Sequence, residues 1–174
     1  MRNRKSELIR SRVSSDVSEL NILNMIYPWV PNETQVRPTP EQMELKRLNL
    51  AALDQQWRSM RDYILYEIFG KHPCVDDSNK LCTSDDAVSV ADVRFCPSHF
   101  PYNIQAGGKH WVLWFGCHEE PNLNINNIIA KMIKERAGHD DFDFAWYPNP
   151  KMSLPDFYHV HVFWTILDEN KPIA

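Results

Sequence analysis

The chain has 174 residues, a formal net charge of −4, 43% hydrophobic residues and 24% charged residues. This length fits one domain of ordinary size, and the composition argues against wholesale disorder. A net negative charge gives no overall attraction to nucleic acid or to an anionic membrane, so we expect no nucleic-acid partner.

No apolar run approaches the roughly 20 residues that span a bilayer, and the N-terminus has no apolar core of a secretory signal. We therefore expect no membrane span and an intracellular, cytoplasmic location. In that compartment Cys74, Cys82, Cys96 and Cys117 are most simply reduced thiols. The fragments His72-Pro73-Cys74 and Cys96-Pro97-Ser98-His99 are loose metal-like patterns, and a zinc site built from them is a minor alternative.

The first dozen residues are basic, with Arg2, Arg4, Lys5, Arg10 and Arg12. We predict that residues 1–15 form a flexible, solvated arm, followed by a single α+β domain over residues 16–174. The alternative is that the arm docks on RNA, on an acidic protein or on anionic lipid.

Two helices are predicted before residue 71. Asp16, followed by Glu19, resembles the start of a short helix that ends before Pro28. Thr39-Pro40-Glu41-Gln42 has the residues of a capping box with proline at the first helical position. Behind it, apolar residues recur at three- and four-residue steps up to Gly70, which predicts one long amphipathic helix that covers a sheet. These apolar residues are Leu45, Leu48, Ala52, Leu53, Trp57, Met60, Ile64 and Ile68.

The second half of the chain is dominated by predicted strands. After a polar loop over 71–87, we predict strands over 88–95, 109–115, 142–147 and 158–164. A second helix that covers the sheet begins near Asn122 or Asn124 and ends at Gly138. Early helices and late strands predict an α+β fold, in which a long N-terminal helix and the second helix cover a mainly antiparallel sheet.

Three histidines lie on two of these strands. Alternation of side chains places His159 and His161 on one face, about 6.5–7 Å apart at Cα. His110 joins them if its strand pairs nearby. Three imidazoles can hold zinc or iron, and the same side chains can act as general acid and base on phosphate. The third alternative is that they satisfy buried hydrogen bonds. We therefore treat all three as candidate catalytic and metal-binding residues.

Aromatic and amide side chains accompany the histidines in the sequence. Tyr102, Trp114, Trp146 and Asn149 are candidate binding residues, because aromatic rings can stack a sugar or a base. Tryptophans are more often core residues, and Asn149 between two prolines also suits a turn.

The same residues carry a resemblance to a known family. Phe100-Pro101-Tyr102, Gly108 and His110-Trp111-Val112-Leu113-Trp114 form its first half, and Trp146-Tyr147-Pro148-Asn149-Pro150, Ser153, Pro155 and His159-Val160-His161-Val162 form its second. Together they resemble the fungal N-acetylglucosamine-induced protein family, a domain of unknown function that also occurs in large DNA viruses. The resemblance spans about residues 93–163, and a looser one extends back to Gln56-Trp57 and Asp62-Tyr63-Ile64-Leu65. The chain departs from the family pattern at Ser98-His99 and at Phe115-Gly116.

Two functions from different classes follow as expectations. The first is an enzyme or binding domain for a small polar metabolite, such as a sugar or nucleotide derivative, with a site lined by His and Trp. The second is a non-catalytic interaction or virion-type structural protein that docks through residues 1–15 and the long helix. The resemblance locates the site and leaves the reaction open, so the sequence does not decide whether the protein is an enzyme.

Overall fold

The computed structural model describes residues 18–36, 38–84, 88–102, 104, 107–148 and 156–167. The predicted arm of residues 1–15 and Asn149 lie outside the described residues. Within them the helices are α1 (Glu19–Ile26), α2 (Pro40–Gln56), α3 (Met60–Glu67) and α4 (Ile125–Ala137). The strands are β1 (Pro73–Val75), β2 (Leu81–Thr83), β3 (Val93–Pro97), β4 (Lys109–Phe115), β5 (Phe142–Pro148) and β6 (His159–Ile166).

The main sheet has four strands in the order β3-β4-β6-β5, and each neighbouring pair is antiparallel. A separate hairpin consists of β1 and β2. The predicted α+β class with a mainly antiparallel sheet is therefore confirmed. In the described ranges, no helix is both long enough and apolar enough to cross a membrane.

One face of the sheet is covered by α4. The Asn124 side chain accepts a hydrogen bond from the Asn127 N–H at the start of this helix, and Gly138 ends it in the left-handed conformation at φ 80°. Ile125, Ile129 and Ile133 pack against apolar side chains of β4 and β6. The helix predicted from Asn122 or Asn124 to Gly138 is confirmed, and Asn124 is its cap.

The opposite face carries the histidines and is covered by two shorter elements. Leu20 and Leu23 of α1, together with Val30, pack against Tyr147 and Phe163. The α1 cap is the Ser18 side chain, which accepts from Asn21, so the predicted cap at Asp16 is wrong. The helix ends before Pro28, as predicted.

The α3 helix covers the neighbouring part of the same face. Its Ile64 and Leu65, with Phe69 just beyond, pack against Val112 and Trp114 of β4. The face therefore has an apolar cover on both sides of the histidines.

The single long helix predicted up to Gly70 is wrong. The capping box at Thr39 and Gln42 is present, but α2 ends at Gln56 and α3 begins after Ser59, whose side chain accepts from the Asp62 N–H. Between them Trp57 has extended backbone and lies beside Leu81 of β2. None of the α2 residues is buried, so α3 rather than α2 covers the sheet. The helical spacing of apolar residues continues across the break, and for this reason the sequence predicts one helix instead of two.

The break is stabilised by a buried carboxylate. Asp62 accepts hydrogen bonds from Arg58, Ser59 and both the backbone N–H and the hydroxyl of Thr83 in β2. Burial alone would raise the pKa of Asp62, but these hydrogen bonds outweigh it and lower the pKa to about 2. Asp62 therefore joins α3 to the β1–β2 hairpin.

Three further predictions need correction. The segment 71–87, predicted as a loop, contains the β1–β2 hairpin, where Cys74 and Cys82 are directly opposite and form a disulfide with a Cα–Cα distance of 5.0 Å. The expectation of four thiols is thus wrong for this pair, while Cys96 and Cys117 are free. The strand predicted to start at Val88 starts at Val93 instead.

Candidate functional site

The structure brings His110 and His161 into direct contact on the second face of the sheet. His110 on β4 is opposite Phe163 of β6, and His161 is opposite Val112, so the two imidazoles are diagonal neighbours. His110 Nε2 lies 2.9 Å from His161 Nδ1. His110 is 5% exposed, whereas His161 is partly exposed. His161 is therefore the imidazole of this pair that a ligand can reach.

Hydrogen bonding fixes the tautomer of both rings. The backbone N–H of Tyr102 donates to His110 Nδ1 at 3.1 Å, so Nδ1 is the unprotonated nitrogen. In the neutral ring, His110 Nε2 then carries the proton and donates it to His161 Nδ1. His161 in turn carries its proton on Nε2. We call this chain of bonds, from Tyr102 through His110 to His161, the imidazole relay.

Both imidazoles of the relay are neutral at physiological pH. Burial, with a smaller contribution from the nearby His161, lowers the pKa of His110 to about 3. Burial also lowers the pKa of His161 to about 4, with smaller contributions from His159 and from Lys46 on α2. The relay therefore offers a fixed, uncharged N–H donor at His161 rather than a cation.

Aromatic rings surround the relay. Tyr102 stacks on His110 with 4.4 Å between ring centroids, and Tyr147 stacks on His161 at 5.2 Å. The two tyrosine hydroxyls are 3.3 Å apart. Burial, together with the Tyr102 hydroxyl, raises the pKa of Tyr147, which is therefore a neutral phenol. Phe163 stacks on His110 at 5.1 Å. These contacts hold the imidazole planes in one orientation.

His159 lies on the same face in a different environment. It is 5% exposed and stacks on Trp114 with a centroid distance of 4.5 Å. Its Nδ1 is 2.9 Å from the Phe157 carbonyl oxygen, which can only accept, so Nδ1 carries a proton. Burial lowers its pKa. His159 and Trp114 therefore form a packed pair beside the relay, and neither faces open solvent.

One predicted binding residue, Trp146, does not join this site. Trp146 lies on the opposite face of the sheet, where its Nε1 donates to Asn126 of α4 at 2.9 Å. Strand alternation places Tyr147, not Trp146, on the histidine face. Asn149 lies outside the described residues. Tyr102, predicted as a binding residue, does contact the relay.

The proposed zinc or iron site has no three-residue group in the described ranges, since no three His, Cys, Asp or Glu side chains there are arranged to hold one ion. His110 and His161 instead share a hydrogen bond, and His159 is 6.3 Å from His161 between ring centroids. The metal therefore stays a prediction from sequence.

No family model, no curated protein and no solved structure matches the chain. The interpretation of the site therefore rests on its own geometry.

The end of β4 is closely packed against its neighbours. Phe115 is completely buried in the α4 face, and a Cβ at Gly116 would collide with the Ser89 carbonyl oxygen. The Phe115-Gly116 sequence is thus required by packing in this chain.

Sequence reasoning missed three residues at the site. Tyr147 and Phe163 were recognisable as strand residues, but only the pairing of β5 with β6 brings Tyr147 next to His161. Lys46 carries no sequence signal, because it lies on an exposed helix far away in the chain. Its side chain extends over Phe100, with Nζ 5.4 Å from the ring centroid.

Proposed function

We propose that the chain is a binding domain for a small polar metabolite with an anionic group, such as a sugar phosphate or a nucleotide, and that His161 is its central contact. The single observation that carries the proposal is that His161 is a partly exposed residue whose tautomer is fixed by the imidazole relay. A neutral N–H held in one orientation suits recognition of an acceptor oxygen.

Charge near His161 supports an anionic ligand. Lys46 is close enough to lower the pKa of His161, and its ammonium group lies over Phe100. An ammonium beside a neutral N–H donor is a favourable pair for phosphate or carboxylate oxygens. Phe100 is 39% exposed and offers a ring face for the apolar side of a sugar or base.

Binding is better supported than acid–base catalysis. An efficient general base has a pKa near the working pH, whereas the pKa values of His110 and His161 are lowered to about 3 and about 4. Both rings are therefore weak bases at neutral pH. The residues that carry the family resemblance, including Tyr102, His110 and His161, coincide with this site, which is consistent with a shared ligand-binding role.

The test uses ribose 5-phosphate, ribose and N-acetylglucosamine as probes. We expect ribose 5-phosphate to shift the imidazole ¹⁵N signals of His161, and ribose to shift them much less. His161→Gln should weaken binding about tenfold, which corresponds to one hydrogen bond of roughly 1.4 kcal/mol. Lys46→Gln should weaken it by about threefold.

The matched control is His118→Gln, which changes an exposed histidine in the same way. It should leave binding unchanged. Equal binding by the parent and His161→Gln proteins would disprove the role of His161. A lack of response to ribose 5-phosphate, or an equal response to the uncharged N-acetylglucosamine, would contradict the proposed ligand class.

A second candidate function is docking on a larger assembly through residues 1–15 and α2. The observation that favours it is the exposure of Leu45 and Leu48 on α2, at 58% and 51%. Deletion of residues 1–15 should then abolish assembly and leave the melting temperature nearly unchanged. Loss of folding on deletion would show that this segment belongs to the core.

A further inference from the structure

The β3 strand is one edge of the sheet, and half of its main-chain groups point away from β4. Ser98 N–H donates to the His110 carbonyl at 3.1 Å, and Gly116 N–H donates to the Asp92 carbonyl at 2.9 Å. Hydrogen-bonded pairs alternate along an antiparallel ladder, so Arg94 and Cys96 also bond to β4. The main-chain groups of Val93, Phe95 and Pro97 therefore face outward.

These outward groups form a specific pattern of donors and acceptors. The Val93 carbonyl already accepts from Arg94 Nη1 at 3.0 Å. Pro97 has no N–H to donate. Among the described residues, this leaves the N–H of Val93, both groups of Phe95 and the carbonyl of Pro97 without a partner.

We propose that β3 pairs antiparallel with β3 of a second copy of this chain, about a two-fold axis through Phe95. Phe95 then exchanges both of its main-chain hydrogen bonds with Phe95 of the second copy. The Val93 N–H donates to the Pro97 carbonyl of the second copy, and the symmetric bond forms in return. Every outward donor and acceptor of the strand is satisfied in this register.

In this pairing the missing donor lies opposite an acceptor that already has a partner. Pro97 lacks the N–H that would bond to the Val93 carbonyl of the second copy, and that carbonyl already has Arg94. An unrelated extended peptide would present a carbonyl to Pro97, and that carbonyl would find no N–H to accept from. Proline and arginine, which protect an edge against general pairing, therefore leave self-pairing intact.

The surface beside β3 is also suited to a symmetric contact. An open groove of about 420 Å³ lies between β3 and α4, lined by Val93, Arg94, Phe95, Met132, Glu135 and Arg136. Its apolar side chains are only partly buried. Glu135 and Arg136 give it both signs of charge, so two copies related by a two-fold axis can set opposite charges against each other. The groove lies on the α4 face, away from the histidine face.

The first test is the mass of the protein in solution, by light scattering after size exclusion. We expect twice the chain mass of 20.5 kDa. Val93→Pro removes an outward N–H without touching the bonds to β4, so it should halve the measured mass. Val93→Thr keeps the N–H and the β-branched shape, and it should remain a dimer. A parent protein with the mass of one chain would overturn the proposal.

The second test keeps the proposal falsifiable if Val93→Pro fails to fold. In a single chain the amides of Val93 and Phe95 face solvent and exchange fast with deuterium, while those of Arg94 and Cys96 are protected. In the dimer of the parent protein, all four amides should be protected. Dilution should separate the two copies, so that the amides of Val93 and Phe95 exchange fast again. Fast exchange at Phe95 in a protein with the mass of a dimer would show that the copies meet elsewhere, and would equally overturn the pairing.

Discussion

A buried neutral imidazole is stable only when its two nitrogens meet one donor and one acceptor. His110 meets this condition with the Tyr102 N–H on one side and His161 on the other. Protonation would place a second donor against the Tyr102 N–H, in a site already closed to water. Burial is the largest cause of the lowered pKa values of His110 and His161, and these values link the stability of the fold to pH.

We expect the free energy of unfolding to fall as the pH drops from about 6.5 toward 4. In the unfolded chain these histidines take up protons near their ordinary pKa of 6.5, whereas in the fold they resist protonation down to about 4 for His161 and about 3 for His110. The unfolded state thus binds more protons in this window, and acid favours it. At about 1.4 kcal/mol per pH unit and per group, the loss amounts to several kcal/mol.

Urea denaturation at a series of pH values measures this loss. His110→Phe should be less stable at pH 7 but should show a flatter dependence between pH 6.5 and 4, while His118→Gln should retain the dependence of the parent. A further loss below pH 4 should come from Asp62, whose pKa is lowered to about 2 in the fold. A parent protein with constant stability from pH 7 to 4.5 would contradict the assignment of neutral, buried histidines.

At the scale of elements, the two longest helices depend on different forces. The α4 helix buries Ile125, Ile129 and Ile133 under the sheet, so its stability is that of the whole fold. The α2 helix buries no residue and relies on its capping box and on the Glu44–Arg47 ion pair. Surface pairs and caps are each worth about 1 kcal/mol or less, so α2 should open locally.

Equivalent cap mutations should therefore have different effects in the two helices. Thr39→Ala removes about 1 kcal/mol from α2, and we expect amide exchange in that helix to become about fivefold faster with no change in melting temperature. Asn124→Ala removes a similar amount from α4 and should lower the melting temperature. Hydrogen exchange and calorimetry on both variants measure the contrast. A lower melting temperature for Thr39→Ala would show that α2 is part of the cooperative fold.

At the scale of the whole molecule, local signals predicted most of the elements, and non-local pairing decided the site. The caps at Thr39 and Asn124 and the strands of the main sheet follow from neighbouring residues. The break at Trp57 does not follow from neighbouring residues, because its cause is a contact with Leu81 in the β1–β2 hairpin. The polar sequence of that segment does not indicate a hairpin. Tyr147 was missed for the same reason, since the β5–β6 register is a long-range property.

The hairpin also gives a prediction for the whole chain. Of the four cysteines, only Cys96 and Cys117 should react with a thiol reagent in the denatured, unreduced protein. Reduction, or Cys82→Ser, should cost about 2–3 kcal/mol by freeing a short loop in the unfolded chain, where the paired residues are 8 apart in sequence. Cys117→Ser is the control and should leave the disulfide between Cys74 and Cys82 intact. Four reactive cysteines before reduction would contradict the disulfide.

The direction of the hydrogen bonds in the imidazole relay has a consequence for proton movement. A chain of imidazoles can conduct a proton only if its far end can take up or release one. Here the far end is the Tyr102 amide, which holds its proton at any physiological pH and faces the only lone pair through which His110 could accept another. The relay therefore cannot pass a proton from one end to the other. It does not move protons between solvent and interior. Instead, the Tyr102 N–H determines that Nε2 is the nitrogen of His161 that carries the hydrogen.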